Sequence, residues 1–459
     1  MTDRREAIII RPLSNDHSDK GLTVAERIEN AGFASHPLRR ALLGELHARP
    51  FLPVRTPRVF LHYAFTTDED AAAADRDWFA DFCRAYGAAG PNADSRHHVL
   101  AFGGGALRWE SHAEFTTYTW DGVAQTEENT TKDVSPPFSH DPAGSPFGRD
   151  FRAPGPLVVA TRLDLVAQAE CPALTDLFDA TSLVASEIMG GNLVAATDFR
   201  ADGHGMTRTL VIDKGATPQS AGAACQRLLE IETYRMLALL GLPEAQQQAP
   251  LIRRIETGLT EIASEIRQSS GLAANEALLQ RLTQLAADLE ANAAASAYRF
   301  GASRAYDEIV SQRLAALGEQ AVPGHSTWAS FLARRLRPAM RTCETTEERQ
   351  HHLSRKLARA ATLLRTRVDV ELESQNRNLL ETMNKRARQQ LRLQQTVEGL
   401  SVAAISYYVV GLLGHVIEGA HEAGLEIHAG LVTAATVPFV VLAIWYLVRR
   451  IRAHHSADD

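Results

Sequence analysis

The stretch LSRKLARAATLLRTRVDVELESQNRNLLETMNKRARQQLRLQQTVEGLSVAAISYYVVGLLGHVI, residues 353–417, decides how this chain is built. It reads as one helix that begins rich in arginine and ends without charge. Its last 18 residues, Leu400 to Ile417, contain no Lys, Arg, Asp or Glu, and a second run, Ile427 to Val448, supplies 22 more. At about 1.5 Å of rise per residue the two runs reach roughly 27 and 33 Å, enough to cross a hydrocarbon core. Transmembrane helices are therefore expected at 400–417 and 427–448, with a connector at 418–426 and a tail at 449–459. The flanks follow the same rule: Lys385, Arg386, Arg388 and Arg392 precede the first run and Arg449, Arg450 and Arg452 follow the second. The connector carries Glu418, Glu422 and Glu426 and no Lys or Arg. Positive charge at both ends places both termini in the cytoplasm, and the lipid bilayer becomes the first expected partner. Pro438 is expected to bend the second helix, and Trp445 and Tyr446 fit an aromatic belt at its end.

Upstream of the apolar run, one helical face carries Leu353, Leu357, Leu364, Val368, Leu372, Leu379, Met383, Leu391 and Val397. Counted with Ala360, Asn376, Ala387 and Gln394 on the same face, the positions recur about every 3.7 residues, the spacing of a hendecad, so the stalk is near-straight rather than a left-handed heptad coil. Ala360, Asn376, Ala387 and Gln394 interrupt the stripe. A helix running unbroken from Glu347 to Ile417 cannot bury such a seam by itself. It needs either the chain's own upstream helices or copies of itself, and Asn376 is the kind of seam residue that fixes register in a homo-oligomeric coiled coil. The competing reading is a solvated helix lying on its own domain.

Charge sharpens the picture. Between Arg334 and Arg392 there are 15 Lys and Arg against 7 Asp and Glu, while the whole chain carries a net charge of −7. A basic segment beside a span attracts anionic head groups at about 1 kcal/mol per residue. No nucleic-acid recognition motif accompanies it, so no nucleic-acid partner is expected.

The chain has 459 residues and is 45% hydrophobic, which suffices for one sizeable α/β domain plus a helical region. Residues 1–20 have early charges and only the short Ile8 to Ile10 apolar run, so they are expected to be disordered and not a signal peptide. Cys83, Cys171, Cys225 and Cys343 form no CxxC pair, which fits a reducing compartment and excludes a thiolate zinc motif. Residues 21–215 read as a mixed α/β domain. Helices are expected at 24–30, 38–47 and 68–86, and a strand at 58–65 with Val59, Leu61, Tyr63 and Phe65 on one face. Residues 97–102, 106–109 and 114–120 suggest a β-meander, 157–165 a buried strand, and 192–199 with 206–212 a hairpin. Pro136, Pro137, Pro142, Pro146, Pro154 and Pro156 mark 134–156 as a flap. Residues 216–321 read as helical, with Gly241-Leu242-Pro243 as a glycine cap and helix stop after 221–240. An antiparallel helical hairpin follows, and Val322 to Ser326 is the break before the stalk at 322–399. The expected class is thus an α+β membrane protein: a cytoplasmic α/β domain, a helical hairpin, a long stalk helix and a two-helix transmembrane hairpin.

Two clusters carry candidate binding chemistry. Glu45, His47 and Arg49 lie just before Pro50, where they also fit a helix end whose basic residues meet the terminal carbonyls. Arg108, Glu110, His112 and Glu114 alternate, so a strand would set them in one row able to receive an anionic ligand or a divalent cation. The alternative is a solvated sheet face held by ion pairs. Gly103-Gly104-Gly105 lacks the spacing of a phosphate loop, and no GxSxG elbow supports a hydrolase. These motifs name no reaction. A metal-dependent enzyme using Glu110, His112 and Glu114 remains one of the readings.

The segments Glu45–Phe51, Arg108–Phe115, Leu229–Arg235 and Thr396–Ser401, followed by Tyr407-Tyr408, resemble an uncharacterised bacterial membrane-anchored family, domain of unknown function 3422. The resemblance spans essentially the whole chain and implies a multi-pass protein of the bacterial inner membrane, without an assigned activity. The layout is also similar to the pentameric CorA-type magnesium channels. Those carry a Gly-Met-Asn signature after the first span, where this chain reads Gly411-Leu412-Leu413-Gly414-His415. Glu418, His421, Glu422 and Glu426 would then gather cations at a pore mouth, although topology alone also selects an acidic connector. Three functions are weighed: an oligomeric ligand-sensing or scaffolding module, a CorA-like cation pathway, and the metal-dependent enzyme.

Overall fold

The computed structural model describes residues 36, 39, 51–123, 136–138, 142, 144–148, 150–422 and 429–455, with backbone alone at 421–422, 429 and 451–455. The expectations for 1–20, for the helix at 24–30, for nearly all of 38–47 and for most of the connector fall outside the described residues.

A single sheet organises the first part of the chain. Its strands are β1 (Arg58–Thr66), β2 (His97–Phe102), β3 (Gly105–Ser111), β4 (Phe115–Gly122), β5 (Leu157–Ala167), β6 (Val184–Ile188), β7 (Leu193–Ala201), β8 (Thr207–Asp213) and β9 (Gln320–Ala321). They lie in the order β2-β3-β4-β1-β5-β8-β7-β6-β9. Each neighbouring pair is antiparallel except β5 and β8. The expected meander is β2-β3-β4, and the expected hairpin is β7-β8, closed by a turn in which Gly205 takes a φ of +79°. β6 and β9 were not expected from the sequence.

Both faces of the sheet are covered. Helix α1 (Glu69–Ala85) is capped by Asp68, whose side chain accepts from the amide of Ala71. It packs Phe79 and Cys83 against Leu61, Trp109, Tyr118 and Trp120. The opposite face of β1 offers Phe60 to a second core containing Leu163, Leu193, Ala195, Leu228 and Ile231. Residues 58–65 therefore bury side chains at both parities, because β1 lies inside the sheet between β4 and β5. Within α1, Asp75 is 3% exposed and receives the Trp109 Nε1–H at 2.7 Å and the Tyr118 hydroxyl at 2.8 Å. Burial pushes its carboxyl up to about 6, against those two donors, which favour the ionised form.

After the four-residue helix α2 (Leu174–Leu177), the second face is covered by α3 (Pro218–Leu239). Thr217 caps α3 and Pro218 stands at its first position. Small residues let it approach closely: a Cβ on Gly222 would fall 1.9 Å from the Leu52 carbonyl oxygen. Helices α4 (Gly241–Gln268) and α5 (Leu272–Leu317) follow, then α6 (Trp328–Glu422) and α7 (Ala429–His455). Gly241 corrects the sequence reading. It opens α4 instead of capping α3, and its need for glycine is spatial, since a Cβ there would lie 2.5 Å from Ser303 Oγ.

The Pro-rich segment is also more than a flap where it is described. The Phe138 amide donates to Asp164 Oδ2 at 2.8 Å, and Phe147 and Phe151 pack edge-on, their centroids 5.0 Å apart. Tyr63 and Tyr118 receive those two rings at 4.5 and 5.0 Å.

The chain forms two compact units: one comprises residues up to Arg253 with Glu290–His352, the other Arg254–Leu289 with Leu353 onward. In the first, the start of α6 is core, with Trp328, Leu332, Leu336 and Met340 buried. In the second, Ile255 and Ile262 of α4, Leu278, Leu282 and Leu289 of α5, and Leu353, Leu357, Leu364 and Val368 of α6 are buried. Arg281 bridges to Glu265 at 2.6 Å across the α4–α5 turn. Beyond Val368 the same seam emerges: Leu372 is 40% exposed, Leu379 62% and Met383 65%. Among the described residues, α6 and α7 each contain a stretch long and apolar enough to cross a membrane, with only 6% of either window buried.

Candidate functional site

A cavity of about 130 Å³ opens between the sheet and α3. Register builds its floor. Arg108 on β3 pairs with Thr119 on β4, and Thr119 pairs with His62 on β1. One step along, Glu110 pairs with Thr117. Cross-strand partners point to the same face, so three strands deliver one polar patch. The wall comes from α3, whose Gln226, Leu229, Glu230, Thr233 and Tyr234 recur at helical spacing on one side. Arg313 of α5 closes an edge and is ion-paired with Glu230, which also accepts from Gln226 Nε2 at 3.0 Å.

His62 is the best-determined group here. Thr233 donates its hydroxyl to the Leu229 carbonyl at 2.9 Å, as a helix threonine commonly does. Its oxygen is therefore the acceptor for His62 Nε2–H, 2.7 Å away. Nδ1 carries the lone pair and accepts from the Thr119 hydroxyl at 2.7 Å. Burial, with smaller contributions from Arg108 and His112, lowers His62 to about 4, against an opposing pull from Glu110. The ring is neutral at pH 7 and both of its nitrogens are engaged.

Arg108 contrasts with it. The residue is 8% exposed and lines the cavity, and its buried Nε finds no hydrogen-bond partner. A buried guanidinium with an unmet donor is costly and needs a compensating partner.

Of the residues singled out from sequence, Arg108, Glu110 and His112 line this cavity together. His112 lies just past the end of β3, its ring 4.0 Å from that of Phe115 and its Nε2 3.8 Å from Glu110 Oε2. Glu114 departs from the expected row, because β3 ends at Ser111 and alternation ends with it. It is bound by Arg299 and by the Tyr306 hydroxyl at 2.7 Å. Burial pushes its carboxyl up, but those donors outweigh it and hold it below the usual range. Among the described residues no three His, Cys, Asp or Glu side chains converge to hold a metal ion. Glu45, His47, Arg49 and Glu426 lie outside the described residues, as do the side chains of His421, Glu422 and Arg452. Glu418 is exposed, 3.9 Å from His415. Lys385, Arg386, Arg388, Arg392, Arg449 and Arg450 are exposed, and the Arg449 guanidinium sits 5.0 Å from the Trp445 ring.

His62, Gln226, Glu230, Thr233 and Arg313 were not anticipated. The visible signal was the segment Leu229–Arg235, whose polar residues at 230, 233 and 234 share one side of a helix otherwise committed to core.

No curated protein and no solved structure matches this chain. It belongs to the family described as "Protein of unknown function (DUF3422)", which matches residues 34–455.

Proposed function

From membership of a family without an assigned activity, we propose that this chain is a membrane-anchored binding protein whose α/β unit holds a small anion in the cavity beside α3. The observation that carries the reading is Arg108. A guanidinium kept buried and short of a partner costs stability, and an anionic ligand offsets that cost by supplying the missing acceptors. The cavity is well below the roughly 300–1,000 Å³ of drug-sized sites, so the ligand is small. Titrating the detergent-solubilised chain with a panel of small anions is expected to reveal at least one that binds and is lost in Arg108→Gln. A panel without any Arg108-dependent binder overturns the reading.

The anchor rests on the two apolar stretches of α6 and α7, whose side chains are exposed and whose flanks are basic, as in an inner-membrane protein with both ends cytoplasmic. The full chain should stay with the membrane pellet after an alkaline wash, whereas a chain ending at Gln394 should be released. The stalk adds an oligomer: from Leu372 to Val397 the apolar seam is exposed among the described residues, and parallel copies held in one bilayer meet at high effective concentration. Mass measurement of the detergent-solubilised protein should give an oligomer, and Leu379→Arg with Met383→Arg should return it to monomer. A monomeric wild type refutes the assembly, and a pentamer would bring the CorA-like layout back into consideration.

A further inference from the structure

We infer that the ligand of this cavity is a small monocarboxylate, held by its carboxylate at Arg108 with its carbon chain against the aromatic and aliphatic wall; this rests on the reading of the cavity as an anion site. Three observations separate a monocarboxylate from other anions. The first is charge. The lining carries Arg108 and Arg313 against Glu110 and Glu230, and Arg313 is already committed to Glu230. One guanidinium is left to answer the ligand, with Glu110 two residues away on the same strand. A dianion such as phosphate would bring a second charge, and the other basic side chain of the lining, His112, already lies 3.8 Å from Glu110. The second is the state of His62. Its Nε2–H and Nδ1 lone pair are both used by threonines and the ring is neutral, so it adds no cation that would favour phosphate.

The third is the rest of the wall. Leu229 and Tyr234 of α3 and the rim residue Phe51 present apolar surface beside the polar side chains of the wall, and Phe115 extends it from the end of β4. That division suits a molecule with one charged end and a short hydrocarbon body. The guanidinium fork matches a planar carboxylate in a way a lysine ammonium cannot.

The test is isothermal titration of the full chain in detergent with propionate, its neutral isostere propionamide, and inorganic phosphate. Propionate should bind, propionamide about a hundredfold more weakly, and phosphate about tenfold more weakly. Arg108→Lys should weaken propionate by about tenfold or more, while the unliganded melting temperature does not fall, since the substitution removes a buried Nε that has no hydrogen-bond partner. Gln226→Phe, which fills the cavity from a half-buried position on α3, should abolish propionate binding with Arg108 intact. Phosphate binding as tightly as propionate, through Arg108, overturns the monocarboxylate and leaves an anion site standing. Propionamide binding as tightly as propionate, or no binding dependent on Arg108 and blocked by Gln226→Phe, overturns both.

Discussion

Replacing Trp328 with alanine is expected to lower the unfolding free energy of the sheet-containing unit by about 3–5 kcal/mol, the range for removing a large buried aromatic. Trp328 is the first residue of α6 and is 1% exposed. Its indole Nε1–H donates to the Ala195 carbonyl at 3.2 Å, which attaches the helix start to β7. Its backbone amide meets Ser186 Oγ on β6 at 3.3 Å, so two strands hold one residue. The ring packs edge-on against Phe199 at 5.0 Å. Phe199 is presented by a bulge in β7 that sets its φ to +55°, in the left-handed region, and stacks it on Phe331 at 4.9 Å. Truncation therefore leaves a cavity, removes the indole bond to Ala195 and strips Phe199, held at positive φ, of one of its two aromatic neighbours. Trp328→Phe retains most of the packing and should cost only about 1–2 kcal/mol, chiefly the lost indole bond. Urea midpoints of the three proteins give both numbers. Equal losses for Phe and Ala would show that the bond, and not the packing, holds the helix.

The second large effect is electrostatic and has two opposing parts on opposite faces of the sheet. His62 has its pKa lowered from 6.5 to about 4 in the fold. Its contribution is complete above 6.5 and is lost as pH falls through about 4, because the unfolded chain then takes up a proton that the fold refuses. Asp75 has its pKa raised from 3.8 to about 6. Its contribution is complete below 3.8 and is lost as pH rises through about 6, because the fold holds a proton that the unfolded chain gives up. Each amounts to on the order of 3 kcal/mol at 1.36 kcal/mol per unit. Between pH 6.5 and 4 the wild type is therefore expected to change little from these two groups. His62→Gln should gain stability on acidification and Asp75→Asn should lose it, each relative to wild type. Chemical denaturation at pH 4, 5, 6 and 7 checks the divergence. Parallel pH profiles for the two variants would remove the opposition.

Much of this architecture is legible in the sequence because it is local. The first turn of the meander, at Gly103-Gly104, and the turn of the hairpin β7-β8 are marked by glycine, and the apolar stretches of α6 and α7 are set by composition. What was illegible is non-local or very short. β9 has two residues and no pattern of its own, and it becomes a strand only because β6 leaves an edge. The parallel pairing of β5 with β8 joins segments about forty residues apart, and period-two alternation cannot specify a neighbour. The cavity divides the same way. Arg108 and Glu110 share a face because they alternate on one strand, and Glu114 leaves that face because the strand has ended. His62 and Thr233 stand 171 positions apart, so their hydrogen bond has no local signature.

The position of Trp328 also has a meaning in time. It completes the sheet's second core, and it precedes Leu400, where the first apolar stretch begins, by 72 residues. At synthesis rates of about 5–20 residues per second, that interval lasts roughly 4–14 seconds. The last pieces of the sheet, β9 and the start of α6, are thus synthesised seconds before the apolar stretches of α6 and α7. The α/β unit can therefore bury its aromatic residues before the first long apolar stretch has been made.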